Sequence, residues 1–313
     1  MRALGIDTSN YTTSAAVFDG SGGYNAGRLL EVRPGELGLR QSDALFQHIK
    51  HLPGRFAELQ AEGWLTGLSA VGASTRPRAV EGSYMPCFLV GEGQGRTLAD
   101  ALGVPFYAVS HQQGHIAAAA WSAGRLELLD RPMLAWHLSG GTTELLLVRP
   151  DGITVQVEII GGTEDISAGQ LIDRTGVRLG LDFPAGKAVD QLSRQAHKDL
   201  RFPVKLREFS FSLSGMENKM EQLVQGGADP ADVARFTLNV VCDTVAKVTE
   251  RAMERHPGLP VLCSGGVASN AQLREVLTRR CSALFAQPQY STDNAMGTAI
   301  LTWRALERQE GRL

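Results

Sequence analysis

The chain has 313 residues, 43% of them hydrophobic and 20% charged, with a formal net charge of −2. That is ordinary globular composition, with length for about two domains. It excludes the overall basic excess of a dedicated nucleic-acid binder, while leaving room for a local basic patch. No stretch reaches the roughly 18 apolar residues of a membrane helix.

The N-terminus does not read as a signal peptide, because Asp7 and polar residues interrupt its apolar run. The four cysteines, Cys87, Cys242, Cys263 and Cys281, form no CxxC pair and read as reduced thiols of a cytoplasmic protein. The first predicted element is a β-hairpin over 3–18 (ALGIDTSNYTTSAAVF), with small polar residues at its bend. Arg40 follows in ELGLRQSD (36–43), a strand is predicted over 68–75, and STRPR (74–78) carries Arg76 and Arg78. Each arginine reads either as a solvated surface residue or as part of an anion-binding face. GSYMPCFLVGEG (82–93) reads as an apolar loop able to line a cleft, before a helix over 93–103, a strand over 104–110 and a helix from His111 to Ser122. LAWHLSGGTTELLLV (134–148) is a second hairpin like the first. Such bends offer backbone N–H and hydroxyl groups to an anion, and two of them suggest two similar lobes facing each other.

FPAGKAVD (183–190) reads as a turn before a helix, and FSFSLSG (209–215) as an alternating, half-buried strand. A long amphipathic helix spans 228–256, with Asp229 as its cap and Pro230 in its first turn. A strand over 259–266 runs into a glycine turn, Ser269 opens a helix over 269–280, and a last helix spans 294–308. Strands alternating with helices predict an α/β architecture.

His111 and His115 lie four apart and share one helix face. They read either as a coincidence or as two ligands of one metal, which then needs a carboxylate. Two imidazoles and one carboxylate with open positions suit Fe²⁺ or Zn²⁺. LCSGGVASN (262–270) reads as a common strand-to-helix turn or as a close approach to a phosphorylated ligand. In STDN (291–294), Ser291, Thr292 or Asp293 reads as the cap of the last helix.

Seven segments in order carry a resemblance. GIDTSNYTTS (5–14) is similar to GIETSCDET, HQQGH (111–115) to HxEGH, and HLSGGTTEL (137–145) to VSGGHTQL. IDRTGVRLGLDFPAGKAVD (172–190) is similar to FDKxAKLLGLxYPGGPxID, FSFSLSG to FSFSGLK, SGGVASN (264–270) to AGGVSAN, and STDNAM (291–296) to CTDNAAM. The chain thus resembles the TsaD family, the tRNA threonylcarbamoyladenosine synthase subunit once called glycoprotease or peptidase M22. The resemblance implies a two-lobed actin-like ATPase fold of duplicated ribonuclease-H-like domains around a central nucleotide cleft. The lobes would span 1–122 and 123–313, with the last helix, about 294–313, returning onto the first.

The resemblance further implies a divalent metal on His111, His115 and Asp293: Fe²⁺ or Zn²⁺, with Mg²⁺ as a third option. Thr8, Ser9, Tyr11 and Thr12 would be the catalytic bend. ATP, ADP or an acyl-adenylate would meet His137, Leu138, Ser139, Gly140, Gly141, Asp173, Gly186, Asp190, Gly265, Gly266 and Asn270. The implied reaction moves a threonylcarbamoyl group from a carbamoyl-adenylate to a tRNA adenine, with a homologous scaffold subunit and a small ATPase as partners and no membrane.

The departures point to a divergent paralogue. The family's Asp-Glu pair is Tyr11-Thr12, its Glu in HxEGH is Gln113, its DDAAGEAFD reads DISAGQLID with Ile166 and Gln170, and one glycine is Ala185. The leading function is a carbamoyl or threonylcarbamoyl transferase, with a non-catalytic nucleotide-binding regulatory subunit next. A metallopeptidase ranks last, because Gln112 stands where an HExxH site has its glutamate base.

Overall fold

The computed structural model describes residues 1–32, 39–309 and 311, so 36–38 of the ELGLRQSD segment lie outside it. In chain order its first elements are β1 (Arg2–Thr8), β2 (Thr12–Phe18), β3 (Gly23–Leu29), α1 (Gln41–Ala61), β4 (Leu68–Arg76), α2 (Phe88–Leu102), β5 (Phe106–Ser110) and α3 (His111–Ser122). Next come β6 (Met133–Leu138), β7 (Thr143–Asp151), β8 (Thr154–Thr163), α4 (Ala168–Arg178), α5 (Gly186–Ser193), β9 (Leu206–Arg207), β10 (Ser210–Phe211) and α6 (Ser214–Gln225). The remainder is α7 (Pro230–Arg255), β11 (Val261–Ser264), α8 (Ala271–Cys281), β12 (Leu284–Phe285) and α9 (Met296–Gln309). The chain divides into two compact units. The first holds Met1–Asp130, Arg149–Val157 and Asp293–Leu313; the second holds Arg131–Val148 and Glu158–Thr292.

In the first unit the strands run β3-β2-β1-β4-β5. β1 pairs antiparallel with β2 and parallel with β4, which pairs parallel with β5. Side chains alternate along β1, so each face meets a different layer. Ile6 and Thr8 face α2, where the Gly91 N–H donates to Thr8 Oγ1 at 3.1 Å. Gly5 and Asp7 face the other way, toward α9 and α3. The core behind α1 and α2 contains Leu4, Ile6, Val17, Leu52, Leu59 and Val71.

In the second unit the order is β12-β11-β6-β7-β8-β10-β9. β6 pairs antiparallel with β7 and parallel with β11, which pairs parallel with β12. Five of its strands therefore repeat the order of the first sheet, and β12, β11, β6 and β7 repeat its sense as well. α7 packs under this sheet, and Trp136, fully buried, donates from Nε1 to Thr249 Oγ1 at 2.9 Å.

Four local expectations need correction. Residues 88–93 are the start of α2, not a loop, because Cys87 and Phe88 are buried with Leu30 and Ala44. FSFSLSG pairs only at Ser210–Phe211. Asp165 then accepts the Leu213 and Ser214 N–H groups at 2.8 and 3.1 Å and turns the chain into α6. α8 is capped by Asn270 rather than Ser269, with Asn270 Oδ1 accepting the Leu273 N–H at 2.9 Å. At α9 it is Asn294 Oδ1 that accepts the Met296 N–H, at 3.0 Å. Asp229 caps α7 through the Ala231 N–H, and the four cysteines are free and buried. No helix among the described residues is long and apolar enough to cross a membrane.

Candidate functional site

The first unit gathers its polar groups where β1 ends. Ser110 leaves β5 and caps α3: its Oγ accepts the Gln113 N–H at 3.3 Å, and Gln113 Oε1 accepts the Ser110 N–H at 2.9 Å. This reciprocal box starts the helix at His111 and puts His111 and His115 on one face. α9 crosses α3 at glycine on both helices. A Cβ on Gly297 would stand 1.7 Å from the Gly114 carbonyl oxygen, so only glycine allows this approach. Asp293, three residues before α9, thereby reaches the histidines.

His115 Nε2 lies 2.9 Å from His111 Nε2 and 3.1 Å from Asp293 Oδ1. One donor atom from each of the three residues lies within 4.8 Å of the others. His111 Nδ1 donates to Asp7 Oδ2 at 2.8 Å, which leaves Nε2 for the convergent side. Ser74 Oγ donates to the same Asp7 oxygen at 2.5 Å, and Ser9 Oγ donates to Asp293 Oδ2 at 3.3 Å. Two imidazoles and a carboxylate, with an outer carboxylate orienting one ring, form a donor set that fits a divalent transition metal. The electrostatics agree. Burial opposes charging His111, but the Asp7 and Asp293 carboxylates outweigh it and raise the ring to about 10. Burial likewise raises Asp7 and Asp293, and the histidines outweigh it, Asp293 falling well below the carboxylate range. The two carboxylates thus favour positive charge where the donor atoms meet.

The first hairpin bend divides. Ser9 is at this centre. Thr8 is not: it is fully buried on the opposite face of β1, and its hydroxyl donates to the Cys87 carbonyl at 2.9 Å while accepting from Gly91. Its hydroxyl ties β1 to α2. Tyr11 is exposed and Thr12 is buried in β2, paired with Leu29. Arg76 ends β4 beside Ser110 and is exposed, and the Pro77 carbonyl accepts the Gln112 N–H at 3.0 Å. Asp7 joins this cluster without being among the residues the sequence motifs point to, and its one local signal is an acid inside the apolar run ALGIDT.

In the second unit, α4 packs on the bend of the second hairpin. Its cap Ser167 donates to the Gly140 carbonyl at 2.7 Å. A Cβ on Gly169 would come within 2.4 Å of the Ser139 carbonyl oxygen, so the helix start can lie against the bend. Beside it is a pocket of about 510 Å³ lined by Gly140, Asp173, Gly186, Lys187, Asp190, Gly266 and Asn270, among others. Asp173 Oδ1 accepts the Ala185 N–H at 2.8 Å, and Asn270 Nδ2 donates to Asp190 Oδ1 at 2.9 Å. His137, Leu138, Ser139, Gly141 and Gly265 do not line this pocket. Leu138 is fully buried in β6, and Ser139 Oγ closes its own bend by accepting the Thr142 N–H at 3.0 Å.

Two of the missing acids also find a place. Gln113 and Gln170 each sit at the third position of a capping box, where glutamate and glutamine serve alike. Ile166 packs against the core of the second unit, and Ala185 is fully buried.

The sequence model of TsaD, tRNA N6-adenosine threonylcarbamoyltransferase, matches residues 47–300. This chain belongs to the TsaD family. A tRNA N6-adenosine threonylcarbamoyltransferase of Thermus thermophilus is 34% identical over 98% of this chain and 94% of its own. Another, of Granulibacter bethesdensis, is 32% identical over 97% of this chain and 88% of its own. Among solved structures, full-length HypF, bound to phosphate and nucleotide, superposes with a TM-score of 0.63 at 13% identity, over 98% of this chain and 46% of that one. Component A of the (R)-2-hydroxyglutaryl-CoA dehydratase of Acidaminococcus fermentans gives 0.56 at 17% identity, over 97% and 98%. At these identities the likeness is one of fold, the actin-like ATPase and sugar-kinase class.

Proposed function

We propose that this protein is a cytoplasmic transferase that moves a threonylcarbamoyl group from a carbamoyl-adenylate to N6 of a tRNA adenine. The observation that carries the reading is the convergence of His111, His115 and Asp293 in a member of this family. In this reading the three residues hold a divalent cation, with iron and zinc suiting the donor set best and magnesium a third option. When bound, the cation supplies Lewis-acid polarisation of the acyl donor. Asp7 fixes the His111 tautomer, so that the ring presents Nε2, and Ser9 steadies Asp293. In the second unit Asp173 and Asp190 take the ribose hydroxyls, while Gly140, Gly186, Gly266 and Asn270 flank the nucleotide. Partners of the family kind, a homologous scaffold subunit and a small ATPase, belong to the same proposal.

One observation favours a second reading, a regulatory subunit that binds without turnover. The first bend carries Tyr11 and Thr12, neither of which is an acid, and the Thr8 hydroxyl is engaged elsewhere. Incubation with threonylcarbamoyl-adenylate, with and without tRNA, separates the two. The transferase releases adenylate in step with modified adenosine in digested tRNA, and His111→Ala or Asp293→Ala lowers this by more than about 100-fold. Release indifferent to both substitutions would sink the metal role. Tight binding without release would establish the regulatory reading.

A further inference from the structure

The pocket of the second unit has three ionisable residues in its wall, Asp173, Lys187 and Asp190, and they are not used alike. Asp190 has both oxygens engaged, Oδ1 by Asn270 and Oδ2 by Arg194 Nη2 at 2.8 Å. Asp173 accepts from the Ala185 backbone. Lys187 makes no hydrogen bond or ion pair among the described residues. Its ammonium does not serve its helix either. Lys187 stands in the first turn of α5, where a cation opposes the helix dipole.

Without Lys187 the wall would hold only carboxylates, and a phosphate entering it would meet net repulsion. Arg194 offsets Asp190, and among the described residues that line the pocket Lys187, exposed to solvent, is the one cation left to offset Asp173. The volume suits a small molecule the size of a nucleotide. We propose that Lys187 is a specificity residue: its ammonium pairs with a phosphate of the bound nucleotide and makes the pocket prefer phosphorylated nucleosides to the bare nucleoside. This rests on the nucleotide reading of the pocket given above.

The test is calorimetric titration of the full chain with adenosine and with AMP, using wild type, Lys187→Ala and Lys187→Arg. Lys187→Ala lowers AMP affinity about three- to tenfold and leaves adenosine unchanged, the size expected of one solvent-facing charge pair. Lys187→Arg keeps most of the AMP affinity, and added salt narrows the gap between wild type and Lys187→Ala. Equal losses for adenosine and AMP, no loss for either, or an arginine variant as weak as the alanine one overturns the proposal. Wild-type protein that binds neither compound overturns the pocket reading itself, and the role of the lysine with it.

Discussion

The hairpins β1–β2 and β6–β7 open two sheets of the same strand order, yet the residues at their bends have different surroundings. Behind the first, Asp7, Ser74, Thr13 and His48 are all buried, and each is tied to a neighbour: Asp7 to His111, Ser74 to Asp7, Thr13 Oγ1 to His48 Nδ1 at 2.8 Å. Behind the second stand Trp136, Leu138 and Leu145, fully buried and apolar, while Gly140 and Gly141 look into open space. Burying polar groups costs stability unless they are paired, and here pairs sit on both faces of the sheet: Asp7 with Ser74 and His111 on one, Thr13, which lies opposite Thr8, with His48 on the other. The second is an open glycine bend beside a pocket, supported by an ordinary core. The same topology thus carries a buried polar cluster at one bend and an open glycine turn at the other.

The contrast breaks most sharply at the helix crossing that completes the first network. Gly297→Ala puts a methyl group against the Gly114 backbone, where no flexible side chain can yield. It should cost about 3 kcal/mol or more of stability and weaken metal binding as Asp293 moves away. Denaturant unfolding together with metal titration checks both, and a variant normal in both would show that the crossing does not position the site.

Acid should strain the buried Thr13–His48 pair on the other face. Burial lowers His48 from 6.5 to about 4, so the folded ring stays neutral while the unfolded ring takes up a proton. The unfolded state therefore binds more protons between these values, and stability falls as pH drops from about 6.5 to 4. The loss is on the order of 3 kcal/mol. Comparing wild type with His48→Gln in melts from pH 7 to pH 4 isolates the effect, and parallel curves would contradict it. Asp7→Asn is a step smaller. It keeps the shape and removes the charge that orients His111, so metal affinity should drop about 10- to 100-fold with the fold retained. Chelator competition measures this, and a change under twofold would demote Asp7 to a structural acid.

How legible this was follows from the kind of signal each residue leaves. Hairpin bends, the helix starting at His111 and the Asp229 cap are local in sequence, so period and capping chemistry show them, whereas the Ser110 capping box comes from the structure. Asp293 reads as a helix cap when taken alone, and only the family motif moved it to the histidines. The reason is physical: its partners lie about 180 residues away, brought near by the fit of Gly114 to Gly297, which leaves no local trace. Thr8 adjoins Ser9 in sequence, but strand alternation turns it to the face of α2. The start of α2 was misread because Gly91 and Gly93 suggest a loop, whereas burial of Phe88 decides for helix.

The smallest effect expected is a difference between two substitutions, and it bears on what the missing acids mean. Gln113 and Gln170 both replace a family glutamate, and both accept a backbone N–H in a capping box. They part company at the amide nitrogen. Gln113 Nε2 donates to the Val155 carbonyl at 2.9 Å, whereas among the described residues no such donation fixes Gln170, which is only partly buried. Gln170→Glu keeps the cap and places a negative charge at a helix start, so it should stay within about 0.5 kcal/mol of wild type. Gln113→Glu keeps the cap but sets a carboxylate oxygen against a buried carbonyl, and should cost about 1 kcal/mol more. If the two variants unfold alike, the Val155 contact carries no weight. If instead Gln113→Glu raises transfer to tRNA, the missing acid at that position belongs to catalysis rather than to the start of α3.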